Sequence, residues 1–95
     1  MVVVSLHVTL ELYASSSLKD KRRVVTSVRE RLRHRFNVAV AEVGAQDQWR
    51  TAELGLATVA SEGVVAEREV EAITRFLDGD ARFEMVGREV EFHRA

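Results

Sequence analysis

Val2-Val3-Val4-Ser5-Leu6-His7-Val8-Thr9-Leu10-Glu11-Leu12-Tyr13 alternates without a break. Val2, Val4, Leu6, Val8, Leu10 and Leu12 fall on one face; Val3, Ser5, His7, Thr9, Glu11 and Tyr13 fall on the other. A period of two over this length indicates a strand with one side on a core. The first face is wholly apolar and the second small or polar. Such a strand belongs at the centre of a sheet, and the rest of the chain must cover its apolar side.

Ala14-Ser15-Ser16-Ser17 breaks the alternation and supplies a helix N-cap. Ser17 or Ser16 can fill that role, and Ser17 with Asp20 approximates a capping box with a short acid. From Leu18 the apolar positions Val25, Val28, Leu32 and Phe36 form a stripe suited to packing on a sheet. Asn37 follows, a residue type that tolerates a left-handed C-cap. Residues 38–43 and 51–60 read as two strands of a hairpin joined by a loop through Trp49. In the first of these strands both faces are mostly apolar, so the buried side is left open. A second helix is expected over residues 64–77, with Ala66, Val70, Ile73 and Leu77 as its core stripe and Phe76 beside it. The last strand, 82–93, changes apolar phase near Val86-Gly87, which predicts a bulge or bend.

The order is βαββαβ: an α+β, ferredoxin-like domain over residues 1–95, with a four-stranded antiparallel sheet. Right-handed crossovers give the strand order 4-1-3-2, with both helices on one face. A chain of 95 residues buries roughly 60–65% of its unfolded surface, enough for a two-layer core. Cysteine is absent, so neither disulfides nor thiolate metal sites are available. With neither a cationic leader nor an apolar run near the ~20 residues of a membrane span, a cytoplasmic location and no membrane partner are expected.

Reaction chemistry finds little support. His7, His34 and His93 share no i,i+4 spacing, so no metal site is expected. On the open face, His7 can come close to a residue of the last strand such as His93. Serines 15–17 lie in no Gly-x-Ser-x-Gly elbow, and the glycines match no phosphate-binding loop. Glu11, Glu42 and Glu53 can face one another across the sheet, although strand carboxylates are more often plain surface charges. The expectation is a protein that is not an enzyme and holds no cofactor.

Charge is the stronger signal. Between Lys19 and Phe36 eight basic residues oppose only Asp20 and Glu30, a net +6 in a chain of net −1. At 100° per residue, Lys19, Arg22, Thr26, Arg29 and Arg33 line one flank of the apolar stripe. Arg31 and Arg35 lie on the other flank, and Arg23 sits near the outer crest. The longer strip covers about 20 Å at 1.5 Å per residue, a span that can touch several phosphates, and arginine matches phosphate oxygens in bidentate fashion. The candidate nucleic-acid-binding residues are Lys19, Lys21, Arg22, Arg23, Arg29 and Arg33. The competing reading is a solvated face of snorkelling side chains, some paired with acids of the second helix such as Glu67 and Glu71.

The open sheet face would carry Ser5, His7, Thr9, Gly55, Ala57 and the neighbouring alanines Ala39 and Ala41. It lacks the aromatic RNP motif by which domains of this topology stack RNA bases. A flat face of small residues suits a second copy instead, making a homodimer the alternative partner. Trp49 reads first as a cover over one end of the core and second as an exposed anchor.

Ser17-Leu18-Lys19-Asp20-Lys21-Arg22-Arg23, then Arg35-Phe36-Asn37-Val38-Ala39-Val40-Ala41-Glu42-Val43, then Trp49, resemble the signature of the bacterial YlxP-like proteins. The resemblance extends over essentially the whole chain. It implies a ferredoxin-like fold and no established reaction. Members are described by similarity to ribosome-binding factor A, which implies ribosomal RNA or the ribosome as partner. That factor uses a KH-type arrangement with a GXXG-like element, and no loop here matches it. The expectation is a non-catalytic RNA- or ribosome-associated module acting through the basic strip.

Overall fold

A computed structural model describes residues 1–95. The elements run β1 (Val2–Leu12), α1 (Leu18–Arg35), β2 (Ala39–Gly44), β3 (Thr51–Ala60), α2 (Gly63–Asp78) and β4 (Phe83–Arg94). The four strands form one antiparallel sheet in the order β2-β3-β1-β4, which is 4-1-3-2 read from the other edge. Both helices cover one face, as expected of a ferredoxin-like α+β fold. Neither helix is long and apolar enough to cross a membrane.

The alternation of β1 is realised residue by residue. Val2, Val4, Leu6, Val8, Leu10 and Leu12 are all buried, while their odd-numbered neighbours up to Glu11 point to the open side. Leu6, Val8, Leu10 and Leu12 pack with Val25, Val28 and Leu32 of α1, Leu54 and Leu56 of β3, and Ile73 and Leu77 of α2. A smaller cluster of Val2, Val4, Ala66 and Val70 seats the start of α2. The expected irregularity in β4 is present: its pairing with β1 shifts between Thr9 and Leu10, where Gly87 faces Thr9. The shift keeps Phe83 and Met85 on the core before it and Val90 after it.

Packing decides three local details that the sequence leaves open. Asn37 does not close α1 in a left-handed conformation. The helix ends at Phe36 in extended backbone, and its N–H returns to the Leu32 carbonyl. The Asn37 carbonyl instead accepts the Thr58 hydroxyl at 2.6 Å. The left-handed residue is Ala45, at φ 55°, a strain of about 1 kcal/mol for a residue with a Cβ. The undecided faces of β2 resolve with Val40 and Glu42 toward the helices and Ala39, Ala41 and Val43 outward. Glu42 can face a helix because a lysine meets it there.

Candidate nucleic-acid interface

Ser17 caps α1: its hydroxyl accepts the Asp20 N–H at 3.1 Å. Asp20 does not reach back to the cap residue itself. It accepts instead from the backbone N–H and hydroxyl of Ser16, at 3.1 and 3.0 Å. Those two donors hold its carboxyl below the ordinary carboxylate range. The first turn of the cationic helix is thus fixed in direction.

The helix sits on the sheet through Lys21, Val25, Val28 and Leu32. Lys21 was expected among the binding residues, and the structure removes it. Its side chain is 3% exposed, and its ammonium lies 2.9 Å from a Glu42 carboxylate oxygen and donates to the Ala45 carbonyl. The Glu42 contact is an ion pair without hydrogen-bond geometry; the directed bond is the one to Ala45. Lys21 therefore clamps the left-handed residue of the β2–β3 loop to α1. The signal was in the sequence, since spacings of four, seven and eleven put Lys21 on the stripe of Val25, Val28 and Leu32.

Lys19, Arg22, Arg23 and Arg33 are exposed, and Arg29 is half-buried among them. None of the five forms an ion pair. The Arg29 Nε is buried without a partner, so its stem lies against the protein and its outer N–H groups carry the charge. Of the acids suggested as partners, Glu71 of α2 meets Arg88 at 3.5 Å and Glu67 forms no ion pair. On the opposite flank Arg31 reaches Asp80, just beyond α2, at 3.6 Å.

At the N-terminal end of the strip, Trp49 is 55% and Tyr13 63% exposed. Trp49 is an exposed side chain and covers no core. Its loop is tied to the start of α1 twice, by Lys21 and by Arg50, whose Nε donates to the Ser15 carbonyl at 3.2 Å.

The three strand carboxylates each take a different partner, and none pairs with another. Glu11 accepts from Thr51 at 3.2 Å, Glu53 meets His7 at 3.0 Å, and Glu42 lies on the other side of the sheet. His93 is opposite Val3, not His7, and its partner is Glu91 at 3.3 Å. No group of three or more His, Cys, Asp or Glu side chains is placed to hold a metal ion. The β4 edge carries Glu84, Glu89 and Glu91, which sets the face against a phosphate backbone.

These features define a small α+β protein with a cationic first helix and an acidic sheet edge. A family model described as "Protein of unknown function (DUF503)" matches residues 3–90, and the chain belongs to that family. It is 37% identical over 67 residues to the uncharacterized protein YlxP of Bacillus subtilis (strain 168), covering 70% of this chain and 73% of that one. A solved structure titled "De novo designed protein Foldit4" aligns over 99% of this chain and 97% of its own with a TM-score of 0.51. At 20% identity that likeness concerns the fold alone. Neither the family nor the relative indicates an enzymatic activity.

Proposed function

We propose that this protein is a non-catalytic RNA- or ribosome-associated binding module that lays the free flank of α1 along a phosphate backbone. The observation that carries the reading is the set Lys19, Arg22, Arg23, Arg29 and Arg33. These five cations run along about four turns of a single helix and meet no carboxylate. The remainder of the chain is net acidic, which confines the footprint to this element. Each phosphate neutralised adds close to one unit of salt slope. Filter binding of a ribosomal RNA fragment tests it, comparing wild type with the triple variant Arg22→Glu/Arg29→Glu/Arg33→Glu. The expected result is salt-sensitive binding that the triple variant loses; binding unchanged by the reversal rules the strip out.

A second reading has its own observation. On the open face Val43 and Val59 are 54% and 53% exposed beside Ala39, Ala41, Gly55 and Ala57. A second copy packed apolar half on apolar half would leave the acids of β4 at the rim, forming a homodimer. Light scattering that finds a monomer throughout the micromolar range excludes it.

A further inference from the structure

The flank of α1 that the RNA reading leaves unused builds a separate site. The C-terminal halves of α1 and α2 meet through Phe36 and Phe76, whose rings stand edge to face at 83° with centroids 5.8 Å apart. The Arg31 guanidinium lies 5.0 Å and the Arg35 guanidinium 5.5 Å from the centre of the Phe76 ring, and Arg35 also approaches Phe36 at 5.9 Å. Arg75 lines the same cleft from α2, and Gly79, Asp80 and Ala81 close its end around a cavity of about 450 Å³. A guanidinium stacked on a ring uses its face and keeps its N–H groups free around the edge. Arg35 and Arg75 make no side-chain hydrogen bond or ion pair; Arg31 has only the 3.6 Å approach to Asp80.

Asp80 does little to neutralise them. Arg82 occupies both of its oxygens: the backbone N–H and Nε donate to Oδ1 at 3.0 and 2.9 Å, and Nη2 donates to Oδ2 at 2.7 Å. Three arginines therefore line one cleft, and only Arg31 approaches a carboxylate. A carboxylate is matched by a single guanidinium fork; three suit the charge and oxygen count of a phosphoryl group.

We propose that the cleft between the C-terminal halves of α1 and α2 binds a small phosphate-bearing molecule, its phosphoryl oxygens held by Arg31, Arg35 and Arg75. Phe36 and Phe76 fix two of those guanidiniums before the ligand arrives, which lowers the ordering cost of binding. The site does not depend on the RNA reading, because its residues lie on the opposite flank of α1.

Calorimetric titration with inorganic pyrophosphate, adenosine 5′-diphosphate and adenosine tests the proposal. Pyrophosphate and the diphosphate are expected to bind and adenosine not to; a diphosphate stronger than pyrophosphate identifies the source as a nucleotide. Arg31→Gln/Arg35→Gln is expected to weaken both by about tenfold or more per arginine. Because those two arginines also pack on Phe76, Arg75→Gln is the second variant. It removes an exposed side chain without partners, and about a tenfold loss is expected with an unchanged melting temperature. Arg22→Gln/Arg29→Gln on the other flank should leave pyrophosphate binding as it was. Absence of binding at millimolar pyrophosphate, or binding indifferent to Arg75→Gln, overturns the proposal and leaves these arginines as partners of the two helix C-termini.

Discussion

The two flanks of α1 carry the same residue type under different constraints. On the flank away from α2, Arg22, Arg29 and Arg33 reach no carboxylate, and two of the three are exposed. On the flank toward α2, Arg31 and Arg35 lie against the Phe76 ring and Arg31 approaches Asp80. Between them Lys21 is buried and clamps a strained loop. A solvated arginine keeps its rotamer freedom, attracts any polyanion and is screened by salt. One stacked on a ring has already lost part of that freedom and presents its donors in a fixed direction, which suits a small ligand. What separates the two flanks is the surface facing each, not the count of charges along the helix.

The comparison breaks most visibly at Phe76. Phe76→Ala removes the ring that both arginines share and is expected to cost about 2–3 kcal/mol in urea unfolding, under the usual range for a fully buried phenylalanine because Phe76 is only half-buried. RNA binding by the folded fraction should be unaffected. Glu42→Ala tests the element between the flanks. It leaves the Lys21 ammonium buried without its carboxylate, and about 2 kcal/mol of stability should be lost, below the cost for a fully buried pair because Glu42 is a quarter exposed. Reversing Arg22, Arg29 and Arg33 should change stability by under about 1 kcal/mol while abolishing the salt-sensitive RNA binding of wild type.

The smallest effect is on acid stability. The Arg82 guanidinium holds the Asp80 carboxyl below its usual 3.8. A carboxyl depressed in the folded state contributes stability that is present above the unfolded value and is lost as pH falls through the folded one. Asp80→Asn should therefore flatten the unfolding profile below about pH 4 and leave its slope between pH 5 and 7 unchanged, as read by urea midpoints at each pH.

Much of the fold was legible because it rests on period and phase. The alternation of β1 named its buried face, Ser17 marked the helix start, and Val86-Gly87 marked the change of phase in β4. The faces of β2 were not legible, since Ala39, Ala41 and Val43 are as apolar as Val40; the choice depends on Lys21, eighteen positions before the first residue of that strand. Ala45 gave no sign of its left-handed backbone, which is held by a hydrogen bond from that same distant lysine. Asn37 has the residue type for such a backbone but lies where Thr58 draws its carbonyl into the sheet side. The exposed flank was legible on a helical wheel, and so was the burial of Lys21, which shares the angle of Val25, Val28 and Leu32. The cleft was beyond that method. Periodicity says which residues share a face of one helix, and the pairing of Arg31 and Arg35 with Phe76 depends on how two helices pack across some forty residues of chain.

The most direct test of the account is co-sedimentation with ribosomes over a series of salt concentrations. Wild type, Arg22→Glu/Arg29→Glu/Arg33→Glu and Arg31→Gln/Arg35→Gln would be run side by side. The prediction is that wild type and the cleft variant pellet with ribosomes at low salt and are released together as salt rises, while the strip variant stays in the supernatant throughout. Equal pelleting of wild type and the strip variant, or loss confined to the cleft variant, would contradict it.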